Sequence, residues 1–205
     1  MTLETEDLLQ SILDSLDRIN YIKPDDIPDI ELYMDQVTTF MGSRLKNSAR
    51  NPEEDKILTK TMINNYAKND LLPSPVKKKY SKEHVLVLIF IYYFKGFMSI
   101  NDIQTILKPI TDRFFGKEGS FRLEDIYNEV FGLEREEVER LKQDVVDKFR
   151  KSKETFLEND AQEQEFLQLF SFICMLSFDV YVKKLIIEKM IDIYSEELKK
   201  GRDKK

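Results

Sequence analysis

Residues 58–81, LTKTMINNYAKNDLLPSPVKKKYS, decide how the rest of the chain is interpreted. Thr59 carries a side chain that suits a helix N-cap. Apolar and aromatic residues then recur at the spacing of a helix that packs one side against a core. These inward residues are Met62, Ile63 and Tyr66. The opposite side is polar with few carboxylates, so the pattern predicts a short helix over 59–69 with an exposed hydrogen-bonding face.

The residues after this helix predict a turn with a basic tip. Asp70 ends the helix, and Leu71 and Leu72 return to the core. The prolines within 73–75 force an extended backbone. Residues 76–80 then contain three consecutive lysines on what the pattern indicates is a short hairpin or wing. A polar helix face beside a basic wing is typical of a winged helix-turn-helix that binds DNA.

The side chains of this stretch have the chemistry that DNA contacts require. Asn64 and Asn65 can each form bidentate contacts with adenine in the major groove, and lysines supply ammonium groups for phosphate. The helix 59–69 is therefore predicted to enter the major groove, with the wing 76–80 on phosphates. The candidate DNA-binding residues are Thr59, Lys60, Thr61, Asn64, Asn65, Tyr66, Lys68, Lys77, Lys78, Lys79 and Tyr80. The competing interpretation is an ordinary polar helix followed by a solvated lysine turn.

Length and composition favour a mainly helical protein. The 205 residues suit one large domain or two small ones, and the six glycines and six prolines are few for that length. The predicted class is all-α, with a tiny β wing and a C-terminal helical bundle. The single cysteine, Cys174, excludes an internal disulfide, and its apolar neighbours predict a buried core thiol.

The distribution of charge matters more than the net charge of −6, which does not favour nucleic acid. Residues 1–40 carry ten carboxylates against two basic residues, whereas residues 59–84 carry six lysines against two carboxylates. The positive charge therefore coincides with the predicted DNA-binding segment. The acidic N-terminal part supports an alternative, a non-enzymatic protein-interaction or adaptor module that keeps the fold without reading DNA.

The N-terminal part of the chain predicts two helices. Residues 4–20 form an amphipathic pattern whose apolar stripe packs on the same chain or on a dimer partner. Asp26 suits an N-cap, and Pro28 the first turn, of a second helix over Ile30–Leu45. Its expected inward residues are Leu32, Tyr33, Val37, Phe40 and Met41. Residues 42–56 are largely polar and predict a loop with partial disorder.

The most apolar run of the chain, residues 85–94, lies in a helix predicted from a Ser81 cap to about Lys95. A helix surrounded by others is expected, with a buried strand as the alternative. The run is too short to span a membrane, and the acidic N-terminus shows no signal peptide. A cytoplasmic protein without membrane contact is therefore expected.

Four more helices are expected after Gly96. Ser99 and Asp102 form a near capping box for the first, and Pro109 is expected to end it before a connecting segment, 110–122. The four helices are Ile100–Leu107, Leu123–Phe131, Glu134–Leu157 and Ala161–Leu198. The expected inward residues of the second and third are Ile126, Tyr127, Val130, Val138, Leu141, Val145, Val146 and Phe149.

The last predicted helix, 161–198, is far more apolar than the one before it. One helix-turn-helix covers half of a DNA site, so DNA binding usually needs a dimer, and this helix is the expected place for homodimer contacts. The alternatives are that it completes the monomer's core or that its aromatic residues line a pocket for an unknown effector. These aromatic residues are Phe166, Phe170, Phe172, Phe178 and Tyr181. The basic tail, 199–205, is expected to fray.

Motifs for catalysis are absent from the sequence. His84 is the only histidine, and it is interpreted as structural or phosphate-contacting rather than as a general base. There is no glycine-rich phosphate loop, no nucleophile elbow and no cluster of histidine, cysteine and carboxylates. No enzymatic activity, catalytic residue, metal ion or cofactor is therefore expected.

Residues 58–107 resemble the winged helix-turn-helix of MerR-type transcription regulators. The residues that match the family's pattern are Thr59, Tyr66, Leu71, Leu72, Pro73, Pro75, Lys77, Lys78, Lys79, Tyr80, Ser81, Gly96, Phe97, Ser99, Ile100 and Ile103. The family's recognition-helix arginines fall on Thr61 and Asn64. Its first tyrosine falls on Asn65 and its turn glycine on Asp70. The resemblance implies DNA binding by a dimer whose contacts lie C-terminal to the wing.

The whole chain is also similar to an uncharacterised bacterial family, domain of unknown function 1836. The similarity is clearest in the segments IPDIELYMDQVTTFM and LTKTMINNYAKNDLLPSPVKKKYSKEH. This resemblance implies a shared fold and no established activity. The expected organisation is an N-terminal helix over 1–24, a MerR-like winged helix-turn-helix over 25–110, and a dimerisation or effector region over 111–205.

Overall fold

The computed structural model describes residues 5–17, 22–46, 51 and 57–202. Over these residues the chain is mainly helical with one small antiparallel sheet, which confirms the predicted class. The elements are α1 (Thr5–Asp17), a 3-10 turn (Pro24–Asp26), β1 (Leu32–Tyr33), α2 (Met34–Leu45), α3 (Lys60–Lys68), β2 (Lys79–Tyr80), α4 (Lys82–Phe94), α5 (Ile100–Phe114), α6 (Leu123–Gly132), α7 (Glu134–Lys153) and α8 (Ala161–Arg202). Among these helices, none is both long and apolar enough to cross a membrane.

The described residues divide into two compact units. Unit 1 combines α1 with residues 133–187, and unit 2 contains residues 22–132 together with 188–202. This division differs from the three predicted segments, because α1 belongs to the same unit as α7. It also places residues 111–132 with the predicted winged-helix segment rather than with the C-terminal region.

Unit 1 is held together by an apolar cluster between α1, α7 and the first part of α8. Val145, Phe149 and Phe172 are buried at its centre, and the rings of Phe149 and Phe172 meet edge to face with centroids 5.5 Å apart. The apolar stripe of α1 packs against this centre, as the amphipathic pattern predicts. The α1 residues involved are Leu9, Ile12, Leu13 and Leu16.

Polar contacts fix how α8 sits on α7 in unit 1. The Gln168 side chain is buried and donates to the carbonyl oxygens of Lys153 and Thr155, at 2.9 and 3.0 Å. Lys148 bonds Asp144 and lies 2.7 Å from Asp179. The bonds from Asp144 and Asp179 raise the pKa of Lys148, and the Lys148 ammonium lowers the pKa of Asp179.

Unit 2 is built around α4, where every residue from 84 to 91 is buried. Because residues 82–94 form a helix, the buried-strand alternative is wrong. Helix α6 packs against α4 through Tyr127 and Phe131, whose rings lie 5.5 and 5.2 Å from the ring of Phe90. The Tyr127 hydroxyl donates to the carbonyl of Ile22 at 2.7 Å, so the buried phenol is satisfied.

The second helix begins later than predicted. Leu32 and Tyr33 pair with Tyr80 and Lys79, so their backbone is extended and α2 starts at Met34. Tyr33, not Asp26, is the N-cap, and its N–H donates to the Gln36 side chain at 2.8 Å. Asp26 lies in the 3-10 turn. Since a strand alternates its faces, Leu32 is buried and Tyr33 is exposed, against the prediction for Tyr33.

Pro109 does not end the helix that contains it. Proline removes one backbone hydrogen bond, but α5 continues to Phe114. The added turn is anchored at its end, because the Gly116 N–H donates to the Glu83 carboxylate at 2.6 Å and the Phe114 ring contacts Phe121. The predicted connecting segment therefore starts at 115 rather than 110.

Three predictions in the C-terminal half are also corrected. Val130 is exposed, because α6 faces α4 through Tyr127 and Phe131, and Leu141 of α7 is exposed as well. Helix α7 ends at Lys153, before Phe156, whose φ of +56° is incompatible with a continuing helix. Cys174 is exposed rather than buried. The predictions for residues 4 and 18–20 of the N-terminal pattern, for the loop 47–56 apart from Asn51, and for residues 203–205 lie outside the described residues.

Candidate nucleic-acid interface

Helix α3 is closed at both ends by its own residues. The Thr59 hydroxyl accepts the Met62 N–H at 3.1 Å, which confirms the predicted N-cap. At the other end, the N–H groups of Leu71 and Leu72 donate to the Tyr66 carbonyl at 2.9 and 3.1 Å. Asp70 supports this closure with a left-handed φ of +54°, in a Schellman-type arrangement that usually takes glycine.

Two side chains from neighbouring elements hold α3 in place. The Lys95 ammonium donates to the Ile57 carbonyl at 2.7 Å, just before the helix. The Gln104 side chain, from α5, donates to the Asn69 carbonyl at 2.8 Å, at the helix end. Burial lowers the pKa of Lys95. Both ends of α3 are therefore attached to the rest of unit 2.

The face of α3 that these contacts leave exposed is the predicted polar one. Ile63 and Tyr66 are buried, and Met62 is half-buried. The exposed residues of the opposite face are Lys60, Thr61, Asn64, Asn65 and Lys68. Burial also raises the pKa of Tyr66, so its phenol belongs to the core and not to the candidate surface.

The predicted wing is a tight hairpin. The Lys79 N–H donates to the Val76 carbonyl at 2.9 Å, and β2 pairs with β1. The two residues between them, Lys77 and Lys78, have φ angles of +51° and +64°. Positive φ at both central positions is the mark of a type I′ turn, where Asn-Gly is favoured. We call these two exposed residues the lysine turn.

The base of the hairpin is anchored in the core. Tyr80 is buried, which removes it with Tyr66 from the exposed set, and burial raises its pKa. The His84 Nδ1 accepts the Ser81 N–H at 2.9 Å in a capping box, and the His84 ring packs edge to face on Tyr80. Burial lowers the pKa of His84, partly offset by the Ser74 and Pro73 carbonyls. The structural interpretation of His84 therefore fits its position.

Two carboxylates lie among the candidate lysines, and the sequence patterns alone did not reveal them as neighbours. Asp35, in the first turn of α2, forms an ion pair with Lys60. Glu31, just before β1, has its Oε2 atom 3.5 Å from the Lys79 ammonium. All four side chains are at least one-third exposed. These pairs offset part of the positive charge of the surface.

The same pairs show how the helix and the hairpin are related. Glu31 and Asp35 are four residues apart, so their Cα atoms lie within about 14 Å of each other. Lys60 of α3 and Lys79 of the hairpin therefore share one side of unit 2. The exposed Tyr33 lies between the two acids, and the Lys79 ammonium is 5.8 Å from its ring centre. Strand alternation next to the buried Leu32 is the signal that would have identified Tyr33.

The structure gives less support to the other predicted sites. Of the aromatic residues expected to line an effector pocket, only Phe172 is buried, so the others do not enclose a cavity with it. Among the described residues, no group of three or more His, Cys, Asp or Glu is placed to hold a metal ion. The exposed face of α3 and the lysine turn remain the candidate site.

The fold and this surface define a mainly helical domain with a small β wing. The chain belongs to the family described as Domain of unknown function (DUF1836), whose model matches residues 22–130, more than half of the chain. The match covers α2, α3, the hairpin, α4, α5 and most of α6. No curated protein and no solved structure matches the chain.

Proposed function

We propose that this protein is a DNA-binding transcriptional regulator with a MerR-like winged helix-turn-helix. Helix α3 enters the major groove, and the lysine turn contacts phosphates beside it. The observation that carries this proposal is the lysine turn itself. Two lysines occupy left-handed positions at an exposed tip, where glycine or asparagine would be less strained. Backbone strain of this kind clusters at functional sites, and the ammonium groups suit phosphate.

The exposed face of α3 supports base contacts in the proposal. Asn64 and Asn65 are exposed and carry the amide groups that bind adenine edges in a bidentate way. Lys68 lies at the end of the same face and supplies a phosphate contact. The face contains no carboxylate of its own, so the helix itself has no charge that repels the duplex.

DNA must compete with two internal ion pairs in this proposal. Asp35 and Glu31 hold Lys60 and Lys79 in the free protein. Exposed pairs of this kind contribute about 0–1 kcal/mol each, so phosphate groups can displace them. The two carboxylates stay near the bound duplex and repel its phosphates, which lowers the affinity for DNA. They therefore favour a binding partner that reaches the lysine turn.

These ion pairs also favour a second candidate function. A surface of mixed charge, with Tyr33 exposed beside it, suits a protein partner better than a uniformly basic surface does. The alternative is therefore a non-enzymatic adaptor that keeps the fold without reading DNA. Such a protein shows no duplex binding even at low salt.

The remaining parts of the proposal follow from DNA binding. One recognition helix covers half of a site, so the regulator works as a homodimer. Its expected location is the cytoplasm, where DNA is accessible in a bacterial cell. Neither an effector molecule nor a cofactor is required for the duplex contact.

Fluorescence anisotropy of labelled duplex tests the proposal. The test variant is Lys77→Ala/Lys78→Ala/Lys79→Ala. The matched control, Lys117→Ala/Lys151→Ala/Lys189→Ala, removes the same charge from exposed positions elsewhere. We expect the wing variant to bind at least tenfold more weakly than the control at about 100 mM salt, since phosphate contacts are local. Equal binding by both variants, or no binding by the native chain, contradicts the proposal.

A further inference from the structure

An open cavity of about 450 Å³ lies in unit 2, between α5 and the last turns of α8. Both walls belong to this unit, which includes residues 188–202 as well as α5. The lining combines charged, amide, hydroxyl and apolar side chains. Small-molecule sites in proteins usually have volumes of about 300–1,000 Å³ and a few polar groups on an apolar lining. The size and the mixed lining therefore suit a small ligand.

The wall from α5 consists of two neighbouring rows of side chains. Each row takes every fourth residue, one row at 104, 108 and 112 and the other at 105, 109 and 113. Residues four apart lie one above the other on a helix, so the two rows form one continuous side of α5. Ile103 and Leu107, on the adjoining side, are buried. Helix α5 therefore presents one side to the core and the next side to the cavity.

The wall from α8 is formed by the side of the helix that is least exposed near its end. Ile191, Ser195 and Leu198 recur at the spacing of one helix side. Ile191 is buried and the other two are half-buried, whereas residues 192–194 and 196–197 are exposed. Ser195 and Leu198 line the cavity. The end of α8 therefore faces the cavity with a hydroxyl and an apolar side chain.

The charges of the lining leave one guanidinium without an internal partner. The Lys108 ammonium lies 3.5 Å from the Asp112 carboxylate, so these two charges offset each other. Arg113 is exposed, and within the described residues no hydrogen bond or ion pair holds its guanidinium. A guanidinium donates hydrogen bonds in a planar fork that matches a carboxylate or a phosphate group. The cavity therefore carries a positive group that is available to an anionic ligand.

We propose that this cavity binds a small organic anion, in which a carboxylate or a phosphate is attached to an apolar body. Arg113 holds the anionic group, with the Lys108 ammonium as a second cation in the same lining. The apolar body covers Pro109 and Leu198, which are both half-buried. The Asp112 carboxylate repels ligands that carry further negative charges. The site therefore selects a ligand with one anionic group.

Gln104 connects the cavity with α3. Its side chain lines the cavity and also donates to the Asn69 carbonyl at 2.8 Å. The N–H groups of Leu71 and Leu72 close α3 just after this residue. A ligand that packs against Gln104 restricts its rotation and strengthens this attachment, so the bound anion should slow amide hydrogen exchange at Leu71 and Leu72. The effect of this attachment on DNA binding rests on the proposed function, whereas the anion site does not.

Fluorine NMR titrations without DNA test the site with three probes that share one apolar body. The probes are para-trifluoromethylbenzoate, para-trifluoromethylphenyl phosphate and the neutral para-trifluoromethylbenzamide. We expect at least one anion to bind about tenfold or more tightly than the amide, since a hydrogen-bonded charged group contributes that much. The tighter of the two anions identifies the preferred anionic group. Equal binding of all three probes, or no binding of either anion at about 10 mM, overturns the inference.

Two matched variants separate the cavity from general charge effects. Arg113→Gln removes the guanidinium of the site, and Arg150→Gln removes an equally exposed one from α7, outside the lining. We expect Arg113→Gln to raise the dissociation constant of the tighter anion about tenfold and Arg150→Gln to raise it less than about twofold. Equal effects overturn the site, and exchange at Leu71 and Leu72 that ignores the bound anion contradicts the link through Gln104. Because no DNA is present, this inference and the proposed function can fail separately.

Discussion

The Lys79 ammonium lies 3.5 Å from the Glu31 carboxylate, at the base of the hairpin that carries the lysine turn. An acid from outside the hairpin therefore holds one of the candidate phosphate-binding lysines. Asp35 holds Lys60 of α3 in the same way. The candidate surface thus contains side chains that a partner can contact, together with internal ion pairs. The carboxylates of these pairs compete with the partner for the same lysines.

Removal of the two acids should strengthen DNA binding. Glu31→Gln/Asp35→Asn frees both lysines and removes two charges that repel phosphate. We expect affinity to rise about 3- to 10-fold in anisotropy titrations, since each exposed pair contributes up to about 1 kcal/mol. The control Glu118→Gln/Glu158→Gln changes net charge equally at two other exposed positions. An equal gain in the control would show that only net charge matters.

The lysine turn should be less stable than an Asn-Gly turn, which the type I′ geometry favours. Lys77→Asn/Lys78→Gly relieves two left-handed backbone positions, and we expect about 1–2 kcal/mol of added stability in urea unfolding. Lys77→Ala/Lys78→Ala removes the same charges and keeps the strain, so it should bring no such gain. The Asn-Gly variant should still lose DNA affinity. Unchanged stability would mean that the turn stores no strain.

Asp70 should tolerate glycine and resist β-branched residues. Its φ of +54° closes α3, and only glycine adopts that conformation without cost. We expect Asp70→Gly to add about 0.5–1 kcal/mol and Asp70→Val to remove about 1–2 kcal/mol in urea unfolding. Destabilisation by glycine would point to a role for the carboxylate that the backbone geometry does not explain.

His84 should make the stability of the protein depend on pH. Burial lowers its pKa in the folded state, so the unfolded chain binds protons more readily. Stability is then highest above the ordinary histidine pKa of about 6.5 and falls as the pH drops through the folded-state pKa. His84 is the only histidine, so His84→Gln should remove this dependence between pH 7.5 and 5.5. The check is chemical unfolding of both proteins across that range.

Local signals predicted three of the helix N-caps. Thr59, Ser81 and Ser99 each begin a helix where the sequence places one, because a cap depends on residues within one turn. The exposed polar face of α3 follows from the same short-range periodicity. The lysine turn was also visible, as a basic tip after a proline-bearing segment.

Long-range pairing and tertiary packing explain the errors. Leu32 and Tyr33 are extended because they pair with residues more than forty positions later, which no local pattern encodes. The Glu31 pair involves Lys79 of the same β pairing, and the Asp35 pair joins α2 to α3. Cys174 lies in an apolar run, yet it is exposed because Phe172, two positions earlier, is the residue that packs against α7. The hydrophobicity of the residues alone does not show which side of a helix packs against another element.

The salt dependence of duplex binding tests the central claim most directly. Log affinity should fall linearly with log salt, with a slope of about −0.9 for each neutralised phosphate. The slope for the Lys77→Ala/Lys78→Ala/Lys79→Ala variant should be shallower than the native slope by roughly 3, one contact for each lysine. A native chain that is folded and dimeric but shows no duplex binding at about 50 mM salt would contradict the account.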